Sequence, residues 1–127
     1  MDEVIKAWTK KETVEIYGLV CDKKSKRPIT GFLVKKYANG ELKKEIPFLD
    51  GKENGIGRRW YKDGQLRTKE SYKYGKAEGP FRQYHRNGQL LYETNFKDAK
   101  QDGELREWDQ RGQLIQIAND RYSKEIE

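Results

Sequence analysis

Gly55-Ile56-Gly57-Arg58-Arg59-Trp60-Tyr61-Lys62-Asp63-Gly64-Gln65-Leu66 is the stretch that decides the fold, because its frame returns along the chain. Gly31, Gly55, Gly79 and Gly103 stand 24 residues apart, and Gly40, Gly64, Gly88 and Gly112 keep step with them. Self-similarity at a fixed period between about 20 and 50 residues marks a repeat architecture and outranks any local motif. The repeated part runs from Ile29 to about Ile117. Function is therefore to be sought on a surface rather than in a pocket.

The units share more than glycine. The second Gly follows Asn39, Asp63, Asn87 or Arg111, and two residues after it comes Leu42, Leu66, Leu90 or Leu114. One aromatic column holds Trp60, Tyr84 and Trp108, with Lys36 as the exception and Tyr37 beside it. Another holds Phe48, Tyr72 and Phe96, with Asp120 in the last unit. Between units stand Asp50-Gly51-Lys52, Tyr74-Gly75-Lys76 and Asp98-Ala99-Lys100.

Such a unit reads as a β-hairpin. Asn-Gly and Asp-Gly tolerate the left-handed backbone that a tight turn imposes, so between two extended runs they predict a reversal. Tyr61-Lys62-Asp63-Gly64, as a type I turn closed by a left-handed Gly, pairs Trp60 with Leu66. Counting in twos from Leu66 puts residues 68, 70 and Tyr72 on the same face as that pair, and gives Leu90, Tyr92, Thr94 and Phe96 in the next unit. Lys43-Lys44-Glu45 and Arg67-Thr68-Lys69-Glu70 look helical in composition, but the turn glycines leave no room for a helix of normal length.

At 127 residues the chain is expected to be a single domain, with 34% apolar against 38% charged residues. That is enough for one buried sheet face and too little for a thick two-layer core, so an antiparallel meander with one wet face is expected. The organisation read here is a capping segment and first strand over 1–28, four hairpin repeats over 29–118, and a tail over 119–127. In the first part, Thr13 to Val20 alternates as a strand, Asp22 to Pro28 is a charged turn, and Ile29 to Tyr37 returns beside it, giving one long hairpin continuous with the repeats. Within Met1 to Lys11, Val4, Ile5 and Trp8 sit at helical spacing, so a short capping helix competes with an edge strand. No stretch approaches a membrane span. Without an export pattern the expected location is cytoplasmic, or secreted or surface-associated if a leader precedes Met1.

Groups able to carry chemistry are sparse. Cys21 has no second cysteine to pair with and reads as a small apolar strand residue. His85 occupies the column of Tyr37, Tyr61 and Asp109, so its reading is structural, and a lone His offers no zinc site. Asp50, Asp98 and Asp102 fall in turns. Gly55-Ile56-Gly57 lacks the Lys-Ser or Lys-Thr of a phosphate loop. No catalytic, cofactor-binding or metal-binding residue is therefore assigned.

Arg58, Arg82 and Arg106 recur at the same interval, each two residues before Trp60, Tyr84 or Trp108, which places Arg and ring on one face of a regular strand. Two readings stand. Each guanidinium stacks on a neighbouring ring, worth about 0.5–2 kcal/mol, or the six side chains form a stripe that grips an acidic partner. Lys plus Arg is 27 against 21 for Asp plus Glu, a net charge of +6. That balance favours acidic proteins, nucleic acid or anionic lipid. Yet both signs are interspersed along every strand, unlike a dedicated nucleic-acid module. The densest basic run, Lys23-Lys24-Ser25-Lys26-Arg27, reads as a solvated loop.

The recurring [WY]-x-x-[ND]-G-x-L, as in Trp60 to Leu66 and in Tyr84-His85-Arg86-Asn87-Gly88-Gln89-Leu90, together with Gly75-Lys76-Ala77-Glu78-Gly79, resembles the MORN-repeat variant of bacterial proteins often labelled YwqK-type antitoxin. The resemblance covers Gly31 to Leu114. It implies a non-catalytic β-repeat protein that attaches to a protein or a membrane. Lys36, Ala99, Arg111 and Asp120 depart from the pattern and mark the end units as caps.

The expectation is an all-β protein, an antiparallel meander of tandem hairpins in one long twisted sheet or open β-roll. It is expected to bind a protein partner, a toxin among the candidates, through Arg58, Arg82, Arg106, Trp60, Tyr84 and Trp108. Attachment to nucleic acid or anionic membrane is the alternative. The half-covered face and long edges of such a sheet also make a homodimer an expectation.

Overall fold

A computed structural model describes residues 6–119 and contains only strands and one short 3-10 turn, Lys10–Glu12. The strands are β1 (Ala7–Trp8), β2 (Thr13–Ile16), β3 (Leu19–Asp22), β4 (Gly31–Lys36), β5 (Leu42–Leu49), β6 (Lys52–Glu53) and β7 (Gly55–Trp60). They continue as β8 (Leu66–Lys73), β9 (Lys76–Ala77), β10 (Gly79–Tyr84), β11 (Leu90–Lys97), β12 (Lys100–Gln101), β13 (Glu104–Trp108) and β14 (Leu114–Asn119). The main sheet runs β1-β4-β5-β7-β8-β10-β11-β13-β14 and does not close. The short β6, β9 and β12 pair back on β5, β8 and β11. Sequence neighbours are spatial neighbours from β4 onward, as a tandem hairpin pattern demands.

Two kinds of turn build each unit. At Tyr61–Gly64 the Gly64 amide donates to the Tyr61 carbonyl at 3.0 Å and the Tyr61 amide to the Gln65 carbonyl at 2.8 Å, with Gly64 at φ +92°. This is the type I turn with a left-handed Gly that Asp63-Gly64 predicts. The Asp63 carboxylate accepts from the Gln65 amide at 3.1 Å, as Asn39 and Asn87 do from Glu41 and Gln89. Arg111 lacks such an oxygen; there Asp109 accepts from the Arg111 and Gln113 amides instead, which is why the turn survives. The second kind is the two-residue turn at Asp50-Gly51, Tyr74-Gly75 and Asp98-Ala99, with both φ angles positive in each.

The returning strand of every hairpin carries one extra residue. Arg59 pairs with Thr68 but Trp60 pairs with Leu66, so Arg67 is a bulge; Lys43, Leu91 and Ile115 are its counterparts. A bulge breaks the alternation of its strand. Trp60 does pair with Leu66, but both lie on the face opposite to Thr68, Glu70 and Tyr72. The single face counted in twos from Leu66 is thus corrected to two faces. The core face carries Leu33, Ile46, Phe48, Gly57, Arg59, Thr68, Glu70, Tyr72, Phe81, Tyr92 and Phe96. The open face carries the Leu42, Leu66, Leu90 and Leu114 column, the Trp60 column and Arg58 with its repeats.

The core itself is small and sits at the N-terminal end, where Trp8, Ile29, Ile46 and Phe48 are buried with Val20, Leu33 and Tyr72 against them. Here the structure departs from the expected long hairpin. Tyr17-Gly18 turns the chain early, both with positive φ, so β2 and β3 form a separate two-stranded sheet. Ile29 donates its amide to the Val20 carbonyl at 3.0 Å but β4 pairs with β1 and β5, not with β2. The segment around Trp8 is an edge strand rather than a helix, and it runs parallel to β4 with Trp8 opposite Leu33. Val4, Ile5, Asp120 and the rest of the tail from Asp120 on lie outside the described residues.

Candidate functional site

The units are latched to one another by two recurring contacts. The Tyr37 and Tyr61 hydroxyls donate to the carbonyls of Trp60 and Tyr84, each at 2.6 Å, and His85 Nε2 makes the same reach to the Trp108 carbonyl at 2.8 Å. His85 is thus a structural member of a tyrosine column, and the bond to a carbonyl requires the proton on Nε2. On the other side, Thr30, Asn54 and Glu78 accept from the amides of Asp50, Tyr74 and Asp98 at 2.9, 3.1 and 2.7 Å. These latches hold a fixed strand spacing, so equivalent side chains line up in rows across the sheet.

One row on the open face is Val34, Glu45, Arg58, Lys69, Arg82, Glu93, Arg106 and Ile117, each directly opposite the next. The adjoining row carries Trp60 opposite Leu66, Tyr84 opposite Leu90, and Trp108 opposite Leu114. Arg58, Arg82, Arg106, Trp60, Tyr84 and Trp108 therefore share one face, because the outgoing strands β7, β10 and β13 keep their alternation. Trp60, Tyr84 and Trp108 are half-buried, while Leu114 and Ile117 at the far end are 47% and 55% exposed.

The guanidiniums do not stack on those rings. Arg82 Nε bonds Glu93 Oε2 at 2.7 Å, which raises its pKa, and Arg106 Nε bonds Glu104. Arg58 and Lys69 make no ion pair among the described residues. The cation–π contacts instead use Lys43 over Tyr37 (5.5 Å), Arg67 and Arg86 over Tyr61 (5.9 and 5.3 Å), and Lys6 over Trp8 (4.9 Å). The Lys23–Arg27 run is an exposed loop whose Asp22 carboxylate caps the Lys24 amide at 2.8 Å, which with the Ser25 amide holds Asp22 below the usual carboxylate pKa.

Two arrangements on the core face are invisible in the repeat pattern. Glu70, 7% exposed, accepts from Arg59 Nε at 2.6 Å, Thr68 Oγ1 at 2.8 Å and Tyr72 Oη at 2.5 Å. Burial alone would raise its pKa, but the bonds from Tyr72, Arg59 and Thr68 together hold it below the ordinary value. Burial and the neighbouring carboxylate push Tyr72 well above a free phenol. The second arrangement is a hollow of about 190 Å³ lined by Lys35, Lys43, Lys44, Arg59 and Arg67. Sequence reading passed over both because each exists in a single place; Glu70 stands in a column otherwise filled by Ile46, Thr94 and Ala118.

Among the described residues no group of His, Cys, Asp or Glu could hold a metal ion, and no helix is long and apolar enough to cross a membrane. Cys21 is buried, 2% exposed, with Sγ 3.6 Å from the Leu19 carbonyl oxygen.

Residues 53–74 and 77–98 each match the MORN repeat variant, so these two units are similar to that family. MORN repeats are protein- or membrane-binding repeat modules without catalytic activity of their own. The matched segments run from one inter-unit connection to the next, β6 to the end of β8 and β9 to the end of β11. No curated protein and no solved structure shows a significant match to the chain.

Proposed function

We propose that this protein is a non-catalytic scaffold that binds a protein partner through the open face. The observation that carries the reading is the alignment of an aromatic row, Trp60, Tyr84 and Trp108, beside a mixed-charge row in which Arg58 and Lys69 form no ion pair among the described residues. Half-buried aromatics flanked by charges are what a protein interface uses as anchors and rim. The partner surface that fits is acidic opposite Arg58 and Lys69 and apolar opposite the rings. The antitoxin label attached to similar repeats makes a toxic protein the first partner to test.

The experiment is affinity capture from the source cell with the wild type, a Trp60→Ala/Tyr84→Ala variant, an Arg58→Glu variant and a Lys11→Gln control in the exposed 3-10 turn. A protein held by the wild type and the control, and lost by both open-face variants, supports the reading. Equal capture by all four, or by none, overturns it. For the toxin refinement, co-expression with the captured protein relieves its growth inhibition only when the open face is intact.

Contact with nucleic acid or anionic membrane is the second reading, favoured by the unbroken run Arg58, Lys69, Arg82 in register. It predicts association that weakens steeply with salt, since released counterions drive it. Glu45 and Glu93 at the two ends of that run argue for the protein partner.

A further inference from the structure

We infer that the hollow on the core face between the first and second units is a binding site for a multiply charged phosphate group, phosphate or pyrophosphate in class. Lys35, Lys44 and Arg59 stand directly opposite one another across β4, β5 and β7. Like charges in direct cross-strand register are unfavourable, so this row costs stability that the fold does not require. The same columns in later units hold Gln83 and Glu107, and Thr68, Tyr92 and Gln116. The bulge positions Lys43 and Arg67 lean over the Tyr37 and Tyr61 rings towards the same side, whereas Leu91 and Ile115 fill that position later. The cations therefore belong to the first two units and are not carried into the later ones.

Nothing acidic lines the hollow. The one carboxylate that reaches a lining residue, Glu70, is committed to Arg59 Nε, Thr68 and Tyr72, and so fixes the guanidinium in place. Lys35, Lys43, Lys44 and Arg67 form no ion pair among the described residues. Burial, followed by the nearby charges of Arg59 and Lys35, lowers the pKa of Lys44. Lysine ammoniums and an anchored guanidinium around a common centre suit the several acceptor oxygens of a phosphate group. The site lies on the face opposite to the proposed protein-binding rows and stands or falls separately from them.

The test is calorimetric titration of the full chain with inorganic pyrophosphate and with inorganic phosphate, beside sedimentation with vesicles of phosphatidylcholine with and without phosphatidic acid. Saturable binding of pyrophosphate is expected, weakened at least tenfold in Lys44→Gln/Arg67→Gln and unchanged in Lys97→Gln. Binding confined to phosphatidic acid vesicles, and lost in the same double variant, assigns the phosphate group to a lipid headgroup instead of a soluble ligand. Because the double variant relieves repulsion, it is expected to melt no lower than the wild type without ligand, so lost binding is not lost folding. As a second readout, pyrophosphate raises the melting temperature of the wild type and not of the double variant. No binding of either anion or of vesicles, or equal binding by wild type and double variant, overturns the inference.

Discussion

Replacing Glu70 by Ala removes one acceptor from three donors at once, Arg59 Nε, Thr68 Oγ1 and Tyr72 Oη. Thr68 is 7% exposed and cannot turn to water, so its orphaned hydroxyl forfeits about 1 kcal/mol or more, and the half-buried Tyr72 about as much. The Arg59 side chain is 44% exposed and recovers solvent, which holds its share below about 1 kcal/mol. The expected loss is about 2–3 kcal/mol at pH 7, a drop in the urea midpoint of about 1–2 M. Glu70→Gln keeps the shape and one acceptor and should lose about half as much. The sign with pH follows from the depressed folded-state pKa of Glu70. Its stabilisation is present above the unfolded value of about 4.3 and disappears as pH falls through the folded value. The gap between wild type and Glu70→Gln in urea melts should be full at pH 7 and shrink on acidification. A variant as stable as the wild type at pH 7, or a gap that widens in acid, refutes the network as a stabilising element.

Other expectations follow from single positions. Ala99 holds a left-handed turn conformation at φ 68° where the other units have Gly, so Ala99→Gly should stabilise by about 0.5–1 kcal/mol in thermal melts, the relief of backbone strain exceeding the added chain freedom. Gly51→Ala would set a Cβ 2.9 Å from Leu19 Cβ at φ +85°, whereas Gly64→Ala at φ +92° meets nothing within 4 Å; chemical denaturation should show the first losing at least about 2 kcal/mol and the second about 1. His85→Tyr, restoring the residue of the preceding units, should leave stability within about 0.5 kcal/mol, while His85→Ala loses about 1 through the unsatisfied Trp108 carbonyl. Raising pH beyond about 10 should destabilise the fold, because Tyr72 binds its proton more tightly folded than unfolded; an absorbance titration should show one phenol ionising only as the chain opens.

The meander was legible because Asn39-Gly40, Asp63-Gly64 and Asn87-Gly88 are turn chemistry at a constant interval, and strand order follows directly. The shared face of Arg58 and Trp60 was legible because β7 alternates without interruption. The bulge was not, since Lys43, Arg67, Leu91 and Ile115 share no side-chain property: the extra residue is set by the geometry of the turn before it, not by its own chemistry. That hidden residue moved the whole leucine column to the open face. Ion pairing by Arg82 was equally hidden, because Glu93 comes opposite only through the register of β11. The N-terminal hairpin is hidden because Thr13 to Val20 alternates like one extended run, and only the positive φ angles of Tyr17 and Gly18 reveal the reversal. The Glu70 network requires three side chains of one strand and Arg59 of another, and Tyr72 reads as one ring of an aromatic column while Thr68, Glu70 and Arg59 each read alone as an ordinary polar strand residue.

The latches from Tyr37, Tyr61 and His85 each span 23 residues, and the sheet is indifferent to which unit supplies either end. Duplicating or excising a whole module in a gene therefore leaves every joint matched, and the array can change length without being redesigned. Losing one codon between Thr68 and Tyr72 has the opposite result, turning the remainder of the returning strand over so that its greasy and its salty sides trade places. The molecule forgives large edits of the right size and punishes the smallest ones.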